Sequence, residues 1–287
     1  MPVKSYHCFA DHDFEEIPND NIYIEGIKSS VSISRLPTGR NDKSPEIIIK
    51  GLKSAIASHK NGFKISNKFL IGDGCLGILG GDVSHVEDSL STNVYWTPPY
   101  CTKGPNPLPL PCKKKEEMIS KLKSADLIYF GTHGDGKSFA GQPGGEKLGM
   151  ACMILSPSYT TISSSEIPSL SKNPLIMSFS CFGGSIDYDA FGKDMFKDES
   201  TAVSLIKNGG SVVLANTRFG LSGVTSSEIT TEFYKKLKKG ITTGNAFSQV
   251  KKEWSSDRLM PDDCEKAVID EMQLYGDPTL KIGVGVN

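Results

Sequence analysis

Two residues in this chain have the chemistry of a covalent hydrolase, and each stands at the end of an apolar run. Leu127-Ile128-Tyr129-Phe130-Gly131-Thr132 leads into His133-Gly134-Asp135-Gly136, and Leu175-Ile176-Met177-Ser178-Phe179-Ser180 leads into Cys181-Phe182-Gly183-Gly184. A cysteine thiol is only a few per cent ionised at neutral pH; a nearby imidazole raises its thiolate fraction and can protonate a leaving amine. Glycine following each residue within two positions lets backbone N–H groups approach a substrate carbonyl, so the amides of Gly134 and Cys181 are candidate oxyanion donors. Taken singly, a cysteine ending an apolar strand is ordinarily a small buried hydrophobe, and a His-Gly turn a solvated corner. Their succession on two strand ends is what points to catalysis, because the carboxyl edge of an open α/β sheet is where ligands bind.

The remaining motifs carry less. Gly72-Asp73-Gly74-Cys75-Leu76-Gly77 matches a dinucleotide fingerprint in form, but Gly80-Gly81 follow almost at once, with no helix start to hold a pyrophosphate. There is no G-x-S-x-G elbow and no H-E-x-x-H helix, so neither a serine hydrolase nor a zinc peptidase has a candidate site. The seven cysteines include no C-x-x-C pair, which argues against a zinc ribbon and leaves at least one thiol outside any intrachain disulfide. Cys101 and Cys112 are placed to close a proline-rich loop if the compartment is oxidising. No organic cofactor and no metal is expected.

The elements that position the pair form an alternating series. Strands are predicted at residues 31–34, 68–71, 126–131, 174–180, 211–216 and 279–282, from short apolar, β-rich runs. Helices are predicted from Ser44-Pro45-Glu46 onward, with Ile47, Ile48, Leu52 and Ile56 as the core-facing stripe, and near 114–123, 199–207 and 227–239. This alternation argues for a mainly parallel sheet covered by helices. Residues 72–113 form a long irregular insertion, dense in proline, and long loops at strand ends often carry binding function. With no repeat and no second compositional regime, residues 1–287 read as a single domain. A formal charge of −1, from 32 basic and 33 acidic residues, speaks against a nucleic-acid partner bound by bulk electrostatics. No apolar run approaches the roughly 20 residues needed to span a bilayer, and no signal peptide is evident. No membrane partner is therefore expected, while secretion is open if a presequence is missing; the oligomeric state is not legible.

The chain resembles the caspase-like (clan CD) cysteine peptidases, and within them the gingipain family, peptidase family C25. The resemblance rests on Ser34-Arg35-Leu36-Pro37-Thr38, the Thr132-His133-Gly134 and Ser180-Cys181 strand ends, Lys207-Asn208-Gly209-Gly210-Ser211, and Tyr275-Gly276-Asp277-Pro278-Thr279-Leu280, in that order. The 48-residue separation of His133 and Cys181 also agrees with the caspase spacing, which is about 50. It implies a caspase-like three-layer sandwich, a six-stranded sheet with helices on both faces, and endopeptidase action on peptide or protein substrates through a His133/Cys181 dyad. The sequence departs from the gingipains in lacking their long amino-terminal subdomain. It departs from the caspase pattern in having Ser180 and Phe182 around the cysteine.

Specificity has two readings. Asp73 and Asp82 are placed to pair with a Lys or Arg side chain before the scissile bond. Alternatively Arg218, joined by Arg35, resembles the arginine that caspases set beside an acidic side chain. The basic reading is preferred because the gingipain resemblance is the closer one. Asn216, Thr217 and Arg218 are expected to lie beside the substrate backbone. Two rival readings of the whole are a peptidase-shaped scaffold without turnover and a cysteine acyltransferase. Three consecutive lysines, Lys113 to Lys115, follow the proline-rich loop and form the predicted site of self-cleavage.

Overall fold

The structure is a computed structural model that describes residues 3–9, 12–18, 32–38, 44–73, 90, 94–97, 115–132, 134–139, 162–187, 195, 200–218, 223–257 and 263–283. Strands β1 (Val3–Phe9) and β2 (His12–Pro18) pair as an antiparallel hairpin. Helix α1 (Glu46–Asn61), β3 (Lys68–Asp73), β4 (Val94–Thr97), α2 (Lys115–Ser124) and β5 (Leu127–Gly131) follow. The short strands β6 (Ser138–Phe139) and β7 (Ile162–Ser163) pair with each other. Then come β8 (Leu175–Ser178), α3 (Thr201–Lys207), β9 (Val212–Asn216), α4 (Gly223–Lys238), α5 (Thr243–Asp257), α6 (Asp263–Glu271) and β10 (Met272–Gly276).

Six of these strands form one sheet in the order β10-β9-β8-β5-β3-β4, parallel throughout except for β10, which runs antiparallel to β9. Strands that are buried on both faces read as unbroken apolar runs, and the two faces separate only by alternation. Leu127 and Tyr129, Leu175 and Met177, and Val212 and Leu214 join one apolar cluster with Ile229, Phe233 and Leu237 of α4, Phe247 and Val250 of α5 and Val268 of α6. Ile128 and Phe130, Ile176, and Val213 and Ala215 join the other, with Ile47 of α1, Met118 and Leu122 of α2 and Val203 and Ile206 of α3. The result is the expected three-layer α/β sandwich. Its parallel strands bring their carboxyl ends to one edge.

The four central strands lie where they are predicted, but both outer positions differ. The segment at 31–34 is not a strand over its described residues. It meets the sheet through Ser34 Oγ, which donates to Gly276 C=O at 2.8 Å, and through a parallel bridge from Arg35 to Tyr275, with bonds from Arg35 N–H to Leu274 C=O (2.9 Å) and from Gly276 N–H to Arg35 C=O (2.8 Å). Pro37 then supplies no N–H with which to continue a ladder. At 279–282 the donors of Thr279 are spent locally, since its N–H and Oγ1 both bond Asp277 Oδ1, at 2.8 and 2.7 Å. The antiparallel edge is instead β10, and the opposite edge is β4, a Val-Tyr-Trp-Thr run of strong β-formers inside the supposed irregular insertion.

Helix α1 is also turned relative to expectation. It buries Ile47, Gly51, Ser54 and Ser58, while Leu52 and Ile56 of the predicted core stripe stand 48% and 54% exposed, with Ile49 at 44%. The small face lets α1 settle closely on α3 and on the start of β9: a Cβ at Gly51 would lie 3.1 Å from Ile206 Cγ2 of α3, and Ser58 Oγ sits 2.7 Å from the Oγ of Ser211, just before β9. Ser200 caps helix α3, its Oγ accepting the Val203 N–H at 3.3 Å.

Candidate active site

The two strand ends singled out in the sequence are neighbours in register. Strand β5 pairs with β8 as Leu127↔Leu175, Ile128↔Ile176, Tyr129↔Met177 and Phe130↔Ser178. Each pair is 48 positions apart, the same separation as His133 and Cys181. The step continues past the last ladder pair: Thr132 Oγ1 lies 2.9 Å from Ser180 Oγ, both hydroxyls fully buried. One residue further on, His133 is outside the described residues, but Gly134 is not. A Cβ at Gly134 would fall 2.7 Å from the Cys181 carbonyl oxygen and 2.9 Å from Ser180 Cβ, so only glycine lets the chain pass this close. The chain on both sides of position 133 is thus in contact with Ser180 and Cys181. Beyond it, Asp135 Oδ1 accepts the N–H of Lys137 (2.9 Å) and the N–H and Oγ of Ser138 (2.7 and 3.0 Å), folding the loop back on itself.

Cys181 is a partly buried thiol at the head of a tight turn. The next residue, Phe182, has φ +55°, a left-handed conformation uncommon outside glycine. The turn is bonded internally from Gly183 N–H to Ser180 C=O (3.1 Å) and from Ser185 N–H to Phe182 C=O (2.9 Å). It is also bonded to the end of β9: Phe182 N–H donates to Arg218 C=O and Gly184 N–H to Asn216 C=O, both at 2.7 Å. Asn216 Nδ2 donates to Phe179 C=O at 3.0 Å. Gly184 lies so near β9 that a Cβ there would be 2.9 Å from Ala215 C=O, and the same glycine's carbonyl accepts the Tyr275 hydroxyl at 2.6 Å.

The residues expected to meet substrate divide. Asn216 and Thr217 are buried, and Thr217 spends its N–H and Oγ1 on the Glu271 carbonyl, at 3.1 and 2.9 Å. The Arg218 guanidinium faces Asp187, Nη1 to Oδ1 at 3.5 Å, and donates to its own neighbour's carbonyl at Thr217 (2.8 Å). Asp187 also accepts the Ser185 hydroxyl at 3.2 Å. Asp73 closes β3, whose pairing with β5 runs through Gly72↔Gly131, so its backbone reaches the same edge as Thr132. Asp82 lies outside the described residues, as do Cys101 and Cys112. The first two residues of the glycine-rich run at 72–77 are still strand.

Sequence reasoning did not single out Asp187 or Glu271. The Glu271 side chain is wholly buried beneath the 217–218 loop, and neither of its carboxyl oxygens completes a hydrogen bond. Burial pushes its pKa well above the ordinary carboxylate value, while the nearby Arg218 and Lys251 charges oppose the shift. Nothing in an Asp-Glu pair at a helix end signals this, because such residues are ordinarily solvated. Among the described residues, no group of His, Cys, Asp and Glu is arranged to hold a metal ion. None of the described helices is long and apolar enough to cross a membrane.

Residues 83–283, well over half of the chain and including both strand ends, match peptidase family C25. The chain belongs to that family. The family is one of peptidases. No curated protein matches it at the level of sequence. Among solved structures it is similar to the Saccharomyces cerevisiae separase–securin complex, in two determinations. One, at 3.0 Å resolution, has a TM-score of 0.45 and 11% identity over 79% of this chain and 13% of that one. The other, at 2.6 Å, has a TM-score of 0.48 and 12% identity over 82% and 14%. A structure described only as that of a protease has a TM-score of 0.46 and 12% identity over 84% of this chain and 54% of that one. The chain therefore spans about an eighth of the separase chains and about half of the other.

Proposed function

We propose that the protein is a cysteine endopeptidase that cleaves peptide bonds after lysine or arginine, with residues 1–287 as one catalytic domain. Cys181 is the nucleophile and His133 its acid–base partner. The observation that supports the pairing best is the shared 48-residue register of β5 and β8, extended by the Thr132–Ser180 hydroxyl contact and by the approach of Gly134 to Cys181. In the proposed reaction the Cys181 thiolate attacks the scissile carbonyl carbon, and the carbonyl electron pair moves onto oxygen opposite the amides of Gly134 and Cys181. The N–H groups of Phe182, Gly183, Gly184 and Ser185 are each spent on a protein carbonyl, which excludes them as oxyanion donors. Collapse breaks the C–N bond as the His133 imidazolium gives its proton to the departing amine. A water molecule, losing a proton to His133, then cleaves the thioester and restores the thiol.

Basic specificity is assigned to Asp73 and Asp82. The contact between Arg218 and Asp187 supports this choice over the acidic one, because a guanidinium already facing a carboxylate is a poor receptor for a second. The test is a fluorogenic peptide library varied at the residue before the scissile bond, run on wild type, Cys181→Ala and His133→Ala. Cleavage after Lys or Arg, abolished in both variants, is expected, since such residues act as one unit. Retention of more than about a tenth of the activity in Cys181→Ala would remove the nucleophile assignment. Cleavage after Asp that is lost in Arg218→Ala would reverse the specificity. Iodoacetamide labelling separates an enzyme from a scaffold: Cys181 should be alkylated ahead of the other six cysteines, and only while His133 is present.

A further inference from the structure

The turn that carries Cys181 is held from β9 chiefly by one residue. Asn216 reaches it twice, its side-chain Nδ2 donating to the Phe179 carbonyl at 3.0 Å and its backbone carbonyl accepting the Gly184 N–H at 2.7 Å. Positions 179 and 184 bracket Cys181, two residues before it and three after. Phe179 is fixed from the other side by its N–H on the Phe130 carbonyl of β5, at 3.2 Å, so the peptide preceding the cysteine is gripped between two neighbouring strands. The Asn216 side chain is fully buried, which removes it from any surface that a peptide could touch. The turn needs holding, because Phe182 keeps a left-handed backbone that an unconstrained bulky residue would leave.

We propose that Asn216 is a positioning residue for Cys181, not a contact to substrate, acting by clamping the turn on both sides of the thiol. The inference rests on Cys181 being the nucleophile. Asparagine suits the task because its amide donates to a carbonyl over a short side chain; aspartate, nearly the same shape, would set a carboxylate against that carbonyl. Replacing the side chain removes the bond to Phe179 and leaves the backbone bond to Gly184, and freeing the flank before Cys181 lets the thiol drift from its acid–base partner. The consequence is a slower chemical step with substrate binding intact.

The experiment compares wild type, Asn216→Ala and Asn216→Asp for kcat, for KM and for the pH profile of Cys181 alkylation by iodoacetamide. Each protein is checked by circular dichroism and assayed at least about 10 °C below its own Tm. The proposal expects kcat to fall about 10- to 100-fold in both variants, KM to stay within about threefold, and the alkylation midpoint to move up toward an ordinary thiol. A tenfold or larger rise in KM with kcat and alkylation unchanged would make Asn216 a substrate contact and overturn it. So would variants matching wild type in all three measurements. Asn216→Asp buries a charge and is the variant more prone to unfold, so Asn216→Ala carries the decision. If wild type itself fails to hydrolyse peptides, the endopeptidase reading falls; the alkylation profiles, which need no turnover, still decide the role of Asn216.

Discussion

Glu271 shows how much a single buried group can govern. Its carboxyl has no exposed surface and completes no hydrogen bond, so the neutral form is favoured in the folded protein and its pKa stands well above the ordinary value of 4.5. In the unfolded chain the group ionises normally. Its contribution to stability is therefore fully present below about pH 4.5, declines as pH rises toward the folded pKa, and is lost above it. While the folded carboxyl stays neutral and the unfolded one is charged, the loss runs at up to about 1.4 kcal/mol per pH unit. Glutamine has the same shape and no proton to lose. Glu271→Gln should consequently match wild type near pH 4 and exceed it in Tm by a margin that widens toward neutral and alkaline pH. Thermal melts across that range check this; a margin constant with pH would show that Glu271 does not titrate as described. Because the same residue's carbonyl anchors Thr217, the residue next to the Asn216 whose carbonyl holds Gly184, the measurement also reports on the floor of the proposed site.

At the scale of elements, helix α1 shows burial set by fit instead of by hydrophobic count. Its inward face is Ile47, Gly51, Ser54 and Ser58, and its apolar Ile49, Leu52 and Ile56 point outward. A face of small residues permits close approach to α3, where Ile206 meets Gly51, and larger side chains would hold the helices apart. Truncating or polarising a true core leucine or isoleucine costs about 2–5 kcal/mol, whereas a surface change usually stays within about 0.5 kcal/mol. Leu52→Gln and Ile56→Gln are expected to fall in the second class. Chemical denaturation of both variants measures it, and a loss above about 2 kcal/mol in either would mean that these residues face a core.

For the molecule as a whole, an endopeptidase that prefers basic residues must coexist with its own 32 Lys and Arg side chains. Helices and paired strands shelter most such sites, because cleavage needs several residues in extended, accessible form. Lys113 and Lys114 immediately precede α2, which begins at Lys115, and follow the proline-rich stretch. Wild-type protein held in storage is expected to accumulate a nick between Lys113 and Lys115, and Cys181→Ala prepared identically should remain whole. Intact-mass spectrometry of the two preparations decides the matter, and the same nick in both would assign it to a contaminating protease.

The chain's own pattern was enough to specify the central architecture and the candidate pair. Apolar runs in β5, β8 and β9 are buried on both faces, which leaves an unmistakable signal in composition, and the residues that follow Thr132 and Ser180 break that signal with glycine. The spacing of 48 was readable as a number, and its meaning came from the sheet, where the same 48 is the register of the two strands. Periodicity failed wherever a contact, not a local preference, decides the outcome. It could not show that β10 supplies the antiparallel edge, that β4 arises within a proline-rich insertion, or that α1 turns its small residues inward. Nor could it show that Asn216, legible only as a residue beyond a strand, bonds to both flanks of the cysteine, or that Glu271 loses all contact with water. Hydrogen bonds between segments distant in the chain leave no period behind them. Only the packed sheet brings their partners together.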